Sequence, residues 1–578
     1  MYRTLGKSLR EYKKPSLFTM LFMALEVSME VMLPFLMAKI LDRGFETKDI
    51  SYIVKIGLLM CFIACLSMFF GVLGGKFSSE DSAGFAGNLR EDIYKNIQTF
   101  SFQNIDYFSN SSLITRLTTD ITNIQNAFQM VLKTIIRAPF TVVFAFSMAA
   151  YTNTKLALDI LVIIPVVAVI LIGIVYKVHP YFIQVFRKYD RLNQTVQEDI
   201  NGVRVVKSYV REEREIEKFK HASAQIKKIF MKAEKIIALN SPIMQIAIYS
   251  TLLVVYWFGA KYVVGGTMTA GELTSFIMYM MQILNSLMMI SMIFVMIVIS
   301  EASVERVSEV LTEKSSLSSP PNALHQLENG TIEFKNVAFY YNEASEEPDL
   351  SHINLTIHSG ETVGILGGTG SGKTSLIQLI PRLYDATSGE VRVGGKNVKE
   401  YDLVALREQI SMVLQKNTLF SGTSIENLRW GKEEATFEEV QHAAELAQAD
   451  AFIKEFPAGY DTMLDQGGTN VSGGQKQRLT IARALLKQPK VLILDDSTSA
   501  VDTKTDQKIR QAFINEIPDI TKIIVAQRIS SIQDADRIIV MDEGKIHGIG
   551  THEELLQNNR IYQEVYESQV KGGRISED

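Results

Sequence analysis

The sequence predicts a multidomain chain: an all-α domain of six membrane-spanning helices with long cytoplasmic helical extensions, followed by an α/β domain. Hydrophobic residues make up 47% of the 578 residues, although 21% of the residues are charged. A chain of this length exceeds one domain, and the mixed composition is expected when a membrane half precedes a soluble half. Helical patterns in the first half and alternating strand and helix patterns in the second support that division.

Apolar runs long enough to cross a bilayer define the first half. They lie near 16–41, 51–75, 133–152, 155–177, 243–264 and 271–299. The first run is too long for a signal peptide and lacks a small-residue cleavage site, so we expect it to be retained. Because Arg3, Lys7 and Arg10 precede it, the N-terminus is predicted to be cytoplasmic. An even number of spans then returns the second half to the cytoplasm, which predicts a multi-pass protein of the cell (inner or plasma) membrane.

Charged, helix-favouring stretches separate spans 2 and 3 and spans 4 and 5. Helices that rise ~1.5 Å per residue would carry each stretch roughly 40 Å out from the bilayer and back. Turn-like breaks at 108–112 and 201–202 mark the two tips. A Ser/Pro-rich segment follows the last span, so we expect a transmembrane domain over 1–312, a linker over 313–330 and an α/β domain over 331–578.

Charge and cysteine content give no support for a nucleic-acid-binding protein or a disulfide-rich protein. The formal net charge of −5 gives no support for nucleic-acid binding. Cys61 and Cys65 are the only cysteines and lie inside an apolar run, so no disulfide framework is expected. Their spacing on one helix face would permit a two-thiol metal site, but small apolar filler is the simpler interpretation.

A phosphate-binding loop begins the chemistry of the second half. The segment from Gly367 to Thr374 matches G-x-x-x-x-G-K-[ST], with a predicted strand at Val363–Leu366 and a predicted helix at Ser375–Leu383. In such loops the backbone N–H groups surround phosphates, the lysine reaches the β/γ-phosphates and the hydroxyl binds Mg²⁺. The residues predicted to bind ATP are Gly367, Gly368, Thr369, Gly370, Ser371, Gly372, Lys373, Thr374 and Ser375.

A second acidic motif follows the apolar run Val491–Leu494, which reads as a buried parallel strand. Asp495 lies at the carboxyl end of that strand, where open α/β sheets place ligand chemistry. We expect Asp495 to hold Mg²⁺ together with Thr374. The next residue, Asp496, stands where a nucleotide hydrolase would place a water-orienting carboxylate.

The segment Val471–Gln475 narrows the choice among families of nucleotide hydrolases. Ser472 before Gly473 and Gly474 predicts a helix N-terminus that binds anions, since its backbone N–H groups point outward. Together with the phosphate loop and Asp495, this segment makes the chain resemble the ATP-binding cassette (ABC) family over essentially its whole length. Six spans, a linker and one cassette are similar to an ABC exporter half-transporter of the type IV architecture, and the fusion of both halves favours export over import.

The resemblance implies further roles for matching residues. Tyr341 would stack on adenine, and Gln415 would link Mg²⁺ and the attacking water to the membrane domain. Ser499–Asp502 matches the D-loop that crosses between cassettes, so Asp502 would lie near nucleotide. Segments near 109–117, which includes Arg116, and 202–210 resemble coupling segments, with Asp120 just after the first. In this family two cassettes hold two ATPs, each between one chain's phosphate loop and the other chain's signature.

Two positions depart from the family pattern. Asp496 replaces the catalytic glutamate, and Gln527 replaces the switch histidine. A carboxylate one methylene shorter misplaces its oxygens by about 1 Å, which can cost ~10²-fold in rate, and glutamine cannot carry the charge of a histidine. We therefore predict a site that binds ATP but hydrolyses it poorly. The resemblance then implies a heterodimer with a different half-transporter that has an intact glutamate and histidine, whose site Ser472, Gly473, Gly474 and Gln475 would complete.

The sequence indicates the transported compound less clearly. Glu26 and Glu30 lie on one face of span 1, and carboxylates inside a membrane are candidates for function; the alternative is a structural partner such as Arg137. Span 6 also carries methionines of the kind that flexible binding surfaces use. These features favour a multidrug-type exporter of small amphipathic or cationic compounds. A lipid or peptide exporter and an ATP-gated channel or sensor complex remain as alternatives.

Overall fold

The computed structural model describes residues 1–342 and 345–575 and divides the chain into two compact units. The first unit comprises Met1–Thr99 and Phe108–Lys314, and the second comprises Phe100–Tyr107 and Ser315–Asp578. The first unit is helical. Its long helices are Lys13–Lys39, Ile50–Gln98, Ile121–Thr152, Ile163–Asn201, Glu212–Ile237, Asn240–Val264 and Ala270–Thr312. Its shorter helical pieces are Tyr2–Leu5, Gly6–Tyr12, Ile40–Phe45, Asn110–Thr115, Arg116–Asp120, Thr154–Ile160 and Val203–Ser208.

Six helical stretches of the described chain are long and apolar enough to cross a membrane, which confirms the predicted number of spans. They are Tyr2–Phe45, Ile50–Gln98, Asn110–Thr152, Thr154–Val185, Glu212–Val264 and Ala270–Thr312. All six exceed the ~20 residues that a bilayer requires, so the helices extend well beyond the apolar segments. The predicted helical extensions of the membrane domain are therefore present.

Small residues let the first two long helices approach each other. A Cβ atom on Gly74 would collide with the side chain of Met23, and one on Gly84 would collide with the ring of Tyr12, which directly precedes the first long helix. Helices in membranes use such small residues because lipid supplies no hydrophobic drive for their association. Val27 and Val31 of the same first helix are buried in the core of this unit.

The residues of the first predicted coupling segment have partners inside the first unit. Arg116 is buried and its Nη2 lies 2.9 Å from Glu309 Oε2. Asp120 is also buried and accepts hydrogen bonds from Arg306 Nε (2.8 Å) and Ser303 Oγ (2.9 Å). Both side chains thus join their segment to the last long helix, and the role of 109–117 as a coupling segment stays a prediction.

The second unit is built on three β-sheets. Its strands are β1 Ile332–Phe339, β2 Leu350–Ile357, β3 Thr362–Gly367, β4 Ser388–Val393, β5 Lys396–Asn397, β6 Ile410–Val413, β7 Gly422–Thr423, β8 Met463–Leu464, β9 Val491–Asp495, β10 Thr521–Val525, β11 Arg537–Asp542 and β12 Lys545–Gly550. The central six-stranded sheet has the order β12-β11-β3-β10-β9-β6 and is parallel except for β12. A four-stranded antiparallel sheet, β2-β1-β4-β5, and the β7-β8 pair complete the set.

Parallel pairing places β10 between β3 and β9, so the carboxyl ends of these strands share one sheet edge. The helices of this unit are Phe102–Phe108, Lys373–Gln378, Leu403–Gln409, Ser424–Arg429, Phe437–Leu446, Asp450–Glu455, Gly473–Leu486, Thr503–Glu516, His552–Asn558 and Arg560–Ile575, with single 3₁₀ turns at Val398–Glu400, Gly459–Asp461, Gln466–Gly468 and Ile529–Ser531. The helix after the phosphate loop ends at Gln378, earlier than predicted. Pro381 follows closely, and a proline disfavours helical conformation in the residue before it.

Residues 100–107 pack with the second unit although they lie between two membrane helices in the sequence. Tyr384 Oη donates a 2.6 Å hydrogen bond to Asp106, and the rings of Phe102 and Tyr384 meet edge to face at 6.0 Å. The backbone N–H of Ser316 donates to Asn104 Oδ1 at 3.0 Å. This segment therefore precedes the 109–117 stretch that the sequence singled out.

Candidate nucleotide-binding site

The phosphate loop connects β3 to the helix Lys373–Gln378 and opens onto a cavity of about 760 Å³. Gly370 and Gly372 have φ angles of 85° and 90°, which glycine adopts without steric cost. At Gly372 a side chain would also approach Leu350 to 2.8 Å. The loop backbone can therefore turn its N–H groups toward the cavity, as an anion-binding nest requires.

Lys373 lies folded over its own loop. Its ammonium donates to the carbonyl oxygens of Gly367 (2.8 Å) and Gly368 (2.6 Å) and to Ser371 Oγ (3.2 Å). Burial lowers the pKa of Lys373, while the carboxylates of Asp495 and Asp496 act in the opposite direction. The ammonium group thus lines the cavity, where it can attract an anionic ligand. Thr369 and Ser375 complete the loop, and Ser375 also lines the cavity.

Thr374 and Asp495 meet at the end of β9. Thr374 Oγ1 donates to Asp495 Oδ2 at 3.1 Å, and the distance to Oδ1 is 3.4 Å. Asp495 is only 2% exposed, and its burial raises the pKa of its carboxyl, opposed by the Thr374 hydrogen bond and the Lys373 charge. A hydroxyl and a carboxylate in contact are the hard oxygen ligands that Mg²⁺ prefers. These two residues therefore fit a Mg²⁺ ion that would arrive with nucleotide.

Asp496 and Gln527 face each other across the ends of adjacent strands. Gln527 Nε2 donates to Asp496 Oδ2 at 3.1 Å, although 31 positions separate the two residues. The backbone N–H of Asp496 donates to the Val525 carbonyl at 3.0 Å, and its φ of 47° is left-handed. Such a conformation is strained for a residue other than glycine. The strand register thus brings the two departures from the family pattern into direct contact.

Gln415 belongs to the same group of side chains. Burial raises the pKa of the Asp496 carboxyl, and a hydrogen bond from the Gln415 side chain, with the charges of Lys373 and Arg528, lowers it. Gln415 follows β6, which pairs with β9. Four of the predicted residues, Lys373, Gln415, Asp495 and Asp496, therefore converge on one edge of the central sheet.

Tyr341 follows β1 and is 42% exposed. Its hydroxyl donates to Gln378 Oε1 (2.8 Å), which ties it to the helix of the phosphate loop. Its ring meets Phe339 at 4.7 Å and Tyr384 at 5.1 Å, both edge to face. Burial raises the pKa of the Tyr341 hydroxyl. An exposed, fixed aromatic ring beside the loop is suited to stack on a base.

The signature segment forms the start of the helix Gly473–Leu486. The Ser472 N–H donates to Gln475 Oε1 (2.9 Å), and the Gln475 N–H donates to Ser472 Oγ (3.3 Å). This reciprocal capping box fixes the helix start. Among the described residues that line the phosphate-loop cavity, none comes from Ser472 to Gln475. The chain thus does not bring its signature to its own phosphate loop.

Asp502 ends the segment that follows Asp496. Its Oδ1 accepts a 3.0 Å hydrogen bond from the Thr505 N–H and so caps the helix Thr503–Glu516. Hydrogen bonds from the Thr505 side chain and, to a lesser extent, from the Thr505 N–H lower the pKa of Asp502. Since Asp502 caps a helix of its own chain, its predicted approach to nucleotide stays a prediction.

Glu26 and Glu30 form a cluster with Arg137 in the first unit. Arg137 donates to Glu26 Oε1 at 3.0 Å and to Glu30 Oε2 at 3.1 Å. Glu26 Oε2 is buried and has no hydrogen-bond partner. The structural pairing that the sequence offered as an alternative is therefore present, but one arginine serves two carboxylates.

Two groups of contacts in the second unit were not predicted from the sequence. Tyr384 joins Tyr341 to Asp106, and Gln477 joins the signature helix to Ser499 and Ala500. One feature of the sequence could have indicated that Gln477 is buried. It lies on the helix face that also holds the buried residues Thr480 and Ile481. No feature of the sequence pointed to Tyr384, because the residues around it do not resemble a motif.

Comparison with known families agrees with this geometry. The sequence model of the ABC transporter transmembrane region matches residues 16–287, and that of the ABC transporter matches residues 350–499. The chain is 35% identical over 561 residues to the Bacillus subtilis protein named "Uncharacterized ABC transporter ATP-binding protein YfiB", covering 97% of each chain. It is 33% identical to the ATP-dependent lipid A-core flippase of Desulfotalea psychrophila, covering 96% of this chain and 97% of the flippase.

One solved structure shows the same fold. A bacterial Atm1-family ABC exporter with ATP bound superimposes with a TM-score of 0.83 at 22% identity, covering 96% of this chain and 99% of that chain. This likeness confirms the predicted fold class, six apolar helices followed by an α/β cassette.

Proposed function

The chain belongs to the ABC transporter family, and we propose that it is the degenerate-site subunit of a heterodimeric exporter that moves amphipathic or cationic compounds out of the cytoplasm. In this proposal the phosphate loop binds ATP, while hydrolysis occurs in the site that a second, different half-transporter contributes. Mg²⁺, when bound between Thr374 and Asp495, would neutralise phosphate charge.

The contact between Asp496 and Gln527 carries the proposal. The Gln527 amide donates to the carboxylate that would have to orient water, at 3.1 Å. Aspartate is one methylene shorter than glutamate, and a misplacement of about 1 Å can lower a rate ~10²-fold. Glutamine offers a hydrogen bond but neither charge nor proton transfer near neutral pH. Both changes favour retention of ATP over its hydrolysis.

The signature of the same chain is well formed, and this asymmetry supports a heterodimer. Ser472 and Gln475 close a capping box, and Gly473 and Gly474 add no side chains to the helix start. A helix N-terminus of this kind stabilises phosphate. A homodimer would combine two impaired hydrolytic sites with two intact signatures. A partner with an intact glutamate and histidine would use this signature in one competent site.

Purification of the tagged chain from its native membrane tests the assembly. We expect a second half-transporter to co-purify, and inverted vesicles that contain both chains to take up a cationic dye when MgATP is added. Replacing the catalytic glutamate of the partner by glutamine should abolish that uptake. Recovery of this chain alone, as a homodimer that drives uptake, would overturn the proposal.

The Glu26–Glu30–Arg137 cluster supports a cationic substrate. Two carboxylates share one guanidinium, so the cluster has a formal charge of −1 when all three groups are ionised. An unpaired charge inside a membrane is costly and is commonly found along a transport path. Met278, Met289 and Met292 of the last long helix are exposed as well and could adapt to apolar parts of a substrate.

The substitution Glu26→Gln should therefore weaken transport of monocationic dyes about tenfold, which corresponds to ~1.4 kcal/mol. A neutral dye of similar size is expected to be transported at an unchanged rate. Initial uptake rates into inverted vesicles give both values, and Glu30→Gln serves as the matched variant. Equal losses for cationic and neutral dyes would show that the cluster only holds the helices together.

A lipid exporter is the second candidate. It is favoured by the relationship to a protein named as a lipid A-core flippase. Uptake of a fluorescent lipid but of no dye by the same vesicles would select it. MgATP-dependent ion current without vectorial uptake would instead select the channel or sensor alternative.

A further inference from the structure

Gln477 holds the signature helix to the segment Ser499–Ala500. Its side chain lies on the helix Gly473–Leu486, and the residue is only 5% exposed. Gln477 Oε1 accepts a 2.9 Å hydrogen bond from the Ala500 N–H, and Gln477 Nε2 donates to Ser499 Oγ at 3.3 Å. One buried amide thus satisfies both of its ends on two consecutive residues, which fixes its orientation.

The same segment is tied to the hydrolytic position. Ser499 Oγ donates to the backbone carbonyl of Asp496 at 3.0 Å. Since Ser499 Oγ also accepts from Gln477, one hydroxyl connects Asp496 to the signature helix. The side chain of Asp496 in turn contacts Gln527 and Gln415. A displacement of Asp496 would therefore reach Gln477 through a single intervening residue.

Close packing reinforces this connection. A Cβ atom on Gly474 would lie 2.8 Å from the Ala500 carbonyl oxygen, so the helix start and the segment touch directly. On its next turn, Thr480 Oγ1 donates to Asn417 Oδ1 at 2.7 Å. Asn417 lies two residues after Gln415. The first turns of the signature helix are thus held on two sides by segments that carry residues of the nucleotide site.

We propose that Gln477 is a positioning residue. Through Gln477, nucleotide bound at this chain's own phosphate loop sets the position of the signature helix. This chain presents that helix to the opposing site. The inference rests on the proposed function, because it assigns hydrolysis to the site that the signature completes. Close-packed elements that switch between discrete arrangements transmit such shifts, and no contact between the two nucleotides is then required.

A double-mutant cycle in the purified two-chain complex tests the inference. Lys373→Ala should impair MgATP binding at this chain's loop and thereby slow hydrolysis at the opposing site. Gln477→Leu, which removes both hydrogen bonds, should lower kcat roughly tenfold with little change in KM. If Gln477 carries the signal, Lys373→Ala should have almost no further effect on kcat in the Gln477→Leu background.

Two further variants separate positioning from folding. Gln477→Glu keeps the acceptor for the Ala500 N–H and should recover part of kcat, whereas Ser499→Ala should reproduce the loss of coupling without touching the helix. If Gln477→Leu fails to assemble, Ser499→Ala replaces it in the cycle. Independent, multiplicative effects of the two sites, or no effect of Lys373→Ala at all, would overturn the inference. Failure of a second chain to co-purify would instead refute the proposed function.

Discussion

Replacing Gly474 by aspartate is expected to lower the ATP turnover of the assembled transporter by at least about a hundredfold, since the loss of one preorganised donor at a developing charge costs ~10²–10³. A Cβ atom at this position would lie 2.8 Å from the Ala500 carbonyl oxygen, so the helix start must shift. The new carboxylate would also repel phosphate at a helix N-terminus, where partial positive charge otherwise attracts it. Initial rates of phosphate release from the purified complex measure the effect.

Gly473→Ala is the matched control for that experiment. Its Cβ atom would lie 3.5 Å from the Ala500 Cβ, which is an ordinary contact. Turnover should therefore stay within about threefold of the unmodified complex. If Gly474→Asp retained turnover at that level, this signature would not complete the hydrolytic site.

The double substitution Asp496→Glu with Gln527→His should raise hydrolysis at this chain's own site roughly hundredfold, because it restores the reach of the carboxylate. It also replaces the amide that donates to Asp496 by an imidazole. The gain is measured in complexes whose partner carries glutamine in place of its catalytic glutamate, so that only this site can turn over.

Asp496→Asn supplies the complementary control. It keeps the size of the side chain but removes its charge, and should leave turnover of the intact complex within about twofold. A large loss with Asp496→Asn would place the hydrolytic site in this chain. An unchanged rate with the restored glutamate and histidine would show that other residues limit this site.

Local motifs and long-range contacts differ in how far the sequence reveals them. The phosphate loop and the strand before Asp495 are visible because their residues are consecutive, and the six spans are visible because the bilayer imposes a length. The contact of Gln527 with Asp496 is not visible, since it depends on β10 lying beside β9. Strand order follows from the packing of the whole sheet and leaves no local pattern.

The partners of polar residues at packed surfaces could not be predicted from the sequence either. Arg137 is separated by more than one hundred positions from Glu26 and Glu30, and only the packing of their helices brings the three together. Residues 100–107 pack with the second unit through Tyr384, whereas the predicted coupling segment began after them. Gln477 lies in an ordinary amphipathic helix, and its function depends on what covers it.

The identity of the nucleotide held by this chain during turnover is the most direct test of its ATP-retaining role. The two-chain complex is cycled with a photoreactive azido-ATP labelled in either its α- or its γ-phosphate, crosslinked, and separated into chains. We expect this chain to retain both labels equally, because Asp496 and Gln527 leave its ATP intact, while the partner retains only the α label. Loss of the γ label from this chain, with the α label kept, would contradict that role.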